Sequence, residues 1–126
     1  MAIESFANRE ERIIYTRCHG VMGLDDFRSY MSEIWGGMQY YGYNELFDTR
    51  EGDWDSFDFS LLFTVAAEAA SLGTLDPNSK LAWLVLEGKQ KELTDFYYSA
   101  KTALPVNSRG LQAFYARDEA LRWLQE

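Results

Sequence analysis

Cysteine, histidine and proline are scarce in this chain of 126 residues, which holds one Cys, one His and two Pro. A lone thiol, Cys18, cannot close an internal disulfide, so no oxidising compartment is implied. His19 follows it directly, and neighbours on a strand point to opposite faces, which rules out a Cys-His dyad. Basic residues are also short: 12 Lys and Arg stand against 20 Asp and Glu, a net charge of -8. Such a surface repels nucleic acid and anionic membrane alike. No uninterrupted apolar run approaches the roughly 18 residues of a membrane span. The first residues, MAIESFANREER, carry charge from Glu4 onward and have no apolar signal region. The expectation is a cytoplasmic protein with neither nucleic acid nor membrane as partner.

The motifs of common chemistries are missing too. No Gly-rich phosphate loop follows a strand, no nucleophile elbow occurs, and no carboxylate pair has a spacing that demands acid-base work. Asp48, Glu51, Asp53, Asp55 and Asp58 crowd one stretch, but Phe57 and Asp58 stand where a calcium loop needs a ligand and a glycine. The reading is a non-enzyme with no metal and no cofactor.

What is abundant is apolar and aromatic: 47% of residues are hydrophobic and 16% are Phe, Tyr or Trp. That composition predicts one domain over residues 1–126 with a core built on large rings. Residues 3–8 and 13–19 read as strands of a hairpin about the polar turn Arg9 to Arg12. Phe27, Tyr30, Met31, Ile34, Trp35 and Met38 form one helical stripe, with Asp25 and Asp26 at its positive N-terminal end. Residues 43–48 read as a third strand, followed by an acidic turn. A helix over 59–72 comes next, stopped by Gly73, with more apolar surface than one sheet face covers. The run LAWLVL, 81–86, is apolar on both alternations, as in a central strand. A helix over 92–103 closed by Pro105, a strand over 110–115 and a helix over 118–125 complete the chain. The order β-β-α-β-α-β-α-β-α predicts an α/β fold with a mixed, mostly parallel sheet of about five strands and about four helices.

Four stretches carry a resemblance. They are Gly20-Val21-Met22-Gly23-Leu24-Asp25-Asp26-Phe27, the strand Tyr43-Asn44-Glu45-Leu46-Phe47-Asp48, the strand Leu81 to Leu86, and the closing run Phe114 to Leu124. Together they resemble the STAS-like (SpoIIAA-like) small domains, the fold of bacterial anti-sigma-factor antagonists. The resemblance implies a regulatory domain acting through protein contacts. Signalling members carry an Asp-Ser-Ser-Gly type turn before the second helix, with a phosphorylated serine. Here the turn reads Asp55-Ser56-Phe57-Asp58, so the phosphoacceptor place falls on Phe57 and the usual phosphoserine switch motif is absent.

The candidate partner- or ligand-binding residues are therefore Asp48, Arg50, Trp54, Ser56, Phe57, Phe59 and Phe63, at the end of the third strand and the start of the helix after it. Sheets of this class bind ligands beyond the C-terminal ends of their strands. Two functions remain open. One is a protein-contact domain, also homodimeric, docking on the 59–72 helix. The alternative is a carrier of a small apolar ligand, in a pocket lined by Trp54, Phe59 and Phe63 and closed by Tyr40 or Tyr41. A filled core with exposed rings separates the first from the second, which needs a cavity of several hundred Å³ behind that helix.

Overall fold

The computed structural model describes residues 2–72, 76–103 and 109–126. The helix stops expected at Gly73 and Pro105 lie outside these residues. Five strands and four helices follow one another as expected: β1 (Ile3–Asn8), β2 (Ile13–Val21), α1 (Leu24–Tyr30), β3 (Asn44–Asp53), α2 (Phe59–Leu72), β4 (Lys80–Leu84), α3 (Lys89–Ala103), β5 (Gly110–Phe114) and α4 (Arg117–Leu124). The strands lie side by side in chain order, β1 antiparallel to β2 and all others parallel.

Sequential order has a geometric consequence. Each right-handed crossover steps in the same direction, so α1, α2 and α3 all land on one face of the sheet. Their buried side chains form one large cluster with Ile3, Cys18, Phe47, Leu81 and Trp83. Among the described residues the other face is covered by α4, through Ala120 and Leu124 against Ile13, Leu46, Leu84 and Phe114. The main core is aromatic, as the composition predicts. Ring centroids step from Phe27 to Phe47 (6.0 Å), to Trp83 (5.3 Å) and to Tyr97 (5.1 Å). Offset and tilted pairs at such distances add to the gain from burial alone.

Two elements differ from expectation. First, β3 runs on to Asp53, so most of the expected acidic turn is strand. Residues 51–53 pair with His19, Gly20 and Val21 of β2, beyond an irregularity between Arg17 and His19. Polar side chains carry no hydrophobic alternation, and the backbone ladder holds this extension instead. Second, the first helix is not regular throughout. After Tyr30 it widens into a π-helical turn, Met31–Trp35, and ends at Gly36. The wider turn keeps both Met31 and Trp35 buried, while Met38 is exposed. As expected of a helix with more apolar surface than one sheet face covers, α2 buries only Leu62, Val65, Ala66 and Ala69, leaving Phe59 and Phe63 near half exposure.

Asp58 caps α2, its Oδ1 accepting the Leu61 N–H at 2.8 Å. By contrast α4 starts at Ala116, which has no side chain able to cap. Ala116→Ser is expected to stabilise the fold by about 1 kcal/mol, read as a higher urea midpoint with unchanged slope.

Candidate functional site

The seven candidate residues do not meet on one surface. Side chains alternate along β3, so Asp48 and Arg50 share the face that α4 leaves partly open. There Arg50 grips Asp48 with Nε to Oδ1 at 3.0 Å and Nη2 to Oδ2 at 3.1 Å. This ion pair holds the guanidinium above its ordinary pKa. Beside it, across the strands, Arg17 pairs with Glu4 at 3.3 Å, and His19 Nε2 lies 2.5 Å from the same carboxylate. Arg17 and His19 together pull the Glu4 pKa down. The result is a ladder of compensated surface charge, each pair worth little in solvent.

Trp54 and Phe57 turn the other way, into the helix-covered core. A tight turn closes with the Phe57 N–H donating to the Trp54 carbonyl at 3.0 Å, and it drives both rings inward. Phe57 is fully buried, 5.1 Å from the Phe27 ring and 5.4 Å from Trp54. The Trp54 indole lies so close over Gly52 that a Cβ there would stand 2.8 Å from Nε1. That nitrogen donates to the Thr49 carbonyl at 3.0 Å, and the Thr49 hydroxyl donates to Leu84 O at 2.9 Å. These bonds close the C-terminal end of β3 with the chain's own groups. Ser56 stays exposed in the turn. Phe59 and Phe63, one helical turn apart, line the outer flank of α2, where Phe59 meets Phe96 of α3 at 4.9 Å. Phe57 is a core ring, Phe59 and Phe63 are surface rings, and Asp48 and Arg50 belong to the far side of the sheet.

The most organised polar group lies at the opposite end of the strands, and the sequence reading missed it. Glu45, the second residue of β3, is fully buried. Four donors converge on its carboxylate: the Thr16 hydroxyl at 2.7 Å, Trp35 Nε1 at 2.9 Å, Arg109 Nη1 at 3.1 Å and the Tyr30 hydroxyl. Arg109, itself buried, also donates to the Tyr43 carbonyl at 2.7 Å and to Ser79 Oγ at 2.9 Å. Burial together with the Glu45 charge pushes the Tyr30 phenol well above its ordinary pKa. With this many donors, the buried charge is compensated. Its one clue in the sequence is an acid on the same alternation as Phe47.

The remaining candidates are quiet chemically. Cys18 is fully buried, and burial pushes its thiol pKa up, so it packs as a small apolar side chain. Among the described residues, no group of three or more His, Cys, Asp or Glu is arranged to hold a metal ion, and no helix is long and apolar enough to cross a membrane. A cleft of about 20 Å³ beside Arg109 is lined by Trp35, Tyr40, Tyr41 and Tyr43, room for one water. Tyr40 and Tyr41 therefore stand at the edge remote from Trp54. A wider depression of about 260 Å³ lies between β1 and the helix after β2. No protein-family model, curated protein or solved structure matches this chain.

Proposed function

We propose that the chain is a STAS-like regulatory domain of the cytoplasm that works without catalysis, by protein contacts on the outer flank of α2, and that it forms a homodimer there. The observation that carries this reading is the contrast between the two sides of α2. Beneath it, Phe27, Phe47, Trp54, Phe57 and Leu62 are all at most 5% exposed, which supports a core filled by the chain's own side chains. Above it, Phe59 and Phe63 keep 46% and 48% of their surface in water. Rings held half open at helical spacing, next to a third ring on α3, are the kind of anchors that interfaces are built on. The β-β-α-β-α-β-α-β-α order, with strands laid down in sequence, supports the family reading. The acid excess supports the exclusion of nucleic acid and membrane.

Light scattering coupled to size exclusion tests the assembly. At micromolar concentration the expected mass is twice the 14.6 kDa of one chain, and Phe63→Asp is expected to return the monomer. Because Phe63 is a half-exposed surface ring, the variant should retain its secondary structure by circular dichroism. A monomeric parent whose behaviour is untouched by Phe63→Asp refutes the dimer.

A further inference from the structure

We propose that the free edge of β1 accepts an extended segment of another protein as a sixth strand, with a Lys or Arg side chain of that segment lying in the depression beside it. Three observations converge on this edge, none of which involves the α2 flank.

The first is backbone pairing. Among the described residues β1 is bonded to β2 alone. The His19 N–H donates to the Ala2 carbonyl at 2.8 Å, which makes position 2 a hydrogen-bonded site of this antiparallel pair. Alternation then turns the backbone groups of Glu4, Phe6 and Asn8 toward β2 and those of Ile3, Ser5 and Ala7 outward. An edge with outward N–H and C=O groups is a template for another strand. The usual defences are weak here: β1 has no proline, no lysine and an exposed Phe6.

The second is shape. The depression of about 260 Å³ is lined by Ile3, Glu4, Ser5, Tyr30, Glu33 and Ile34. Its β1 wall comes from the edge strand itself. The opposite wall is supplied largely by the π-helical turn, which places Glu33 and Ile34 there. Single π turns of this kind are frequent at functional sites.

The third is charge. Glu4 is already paired with Arg17. Glu33 is exposed and pairs with no cation among the described residues. Aliphatic walls from Ile3 and Ile34 with one unpaired carboxylate match the methylene stem and charged head of Lys or Arg. A second copy of β1 fits less well. The side chains it would turn to this face are Ile3, Ser5 and Ala7, which supply no cation.

The test uses two end-blocked hexapeptides, Thr-Val-Lys-Val-Thr-Val and the same peptide with Glu for Lys, titrated into the full chain and followed by amide NMR and hydrogen exchange. The lysine peptide is expected to bind about tenfold more tightly than the glutamate peptide at low salt, with new protection at the Ile3, Ser5 and Ala7 amides. Glu33→Gln, a surface change that leaves the fold intact, is expected to narrow that preference to about twofold. Phe63→Asp is expected to leave peptide binding unchanged, which keeps this result separate from the fate of the α2 interface. Equal binding of the two peptides, protection elsewhere, or no binding at millimolar peptide overturns the proposal.

Discussion

Glu45→Ala is expected to destabilise the fold by about 3–5 kcal/mol, the usual consequence of removing one partner from a buried ion pair. The alanine leaves the Arg109 guanidinium inside the protein without its carboxylate, and strips the acceptor from Thr16, Tyr30 and Trp35 at once. Equilibrium urea unfolding measures the loss directly. The double replacement Glu45→Leu with Arg109→Met separates the charge from the packing. With both ions gone and volume kept, part of the stability is expected to return, the remainder staying lost because the Thr16, Tyr30 and Trp35 donors still lack an acceptor. A loss under about 1 kcal/mol for Glu45→Ala would mean that water reaches the carboxylate, against its complete burial.

Phe57→Ala is expected to cost a similar amount, about 3–5 kcal/mol, for a different reason. Its ring is fully buried against Phe27 and Trp54, and close-packed neighbours cannot collapse into the space it leaves. Phe59→Ala, two residues on, is expected to cost only about 1 kcal/mol, since that ring is half in water. The ratio between these neighbours is the useful quantity, because a surface role for Phe57 predicts no difference between them. Phe57→Ser, which puts a hydroxyl among these rings, is expected to unfold the protein.

Much of the fold was legible in the residues. The hairpin about Arg9 to Arg12, the two-sided apolar run Leu81 to Leu86, whose strand ends at Leu84 with Leu86 half exposed, and the helical stripes of α2 and α3 each carry a local period that points to one kind of element. Less of the site was legible. Asp48 and Arg50 sit within a dozen residues of Trp54 and Phe57, and sequence proximity grouped them. The pleat of β3 sends them to opposite faces. The tail of β3 read as a turn because Arg50, Glu51 and Asp53 are polar, whereas its pairing with β2 needs only backbone groups. On α2, apolar content exceeded what one face buries, but composition cannot say which rings stay outside.

The sequence by itself determined the class of fold, because alternation and helical spacing are local properties that survive without any knowledge of neighbours. It also determined the acid excess and the absence of familiar catalytic and metal motifs. Only the tertiary structure decided which side of each element matters. Glu45 and Arg109 are 64 residues apart, and no local pattern joins them. They meet because β3 and the approach to β5 bring both to one end of the sheet, where a charge out of water must find its opposite. The outward edge of β1 and Glu33 beside it, without a cation partner among the described residues, come from the same source. A backbone group is free or bonded according to which strand lies next to it, and that is settled by assembly of the sheet.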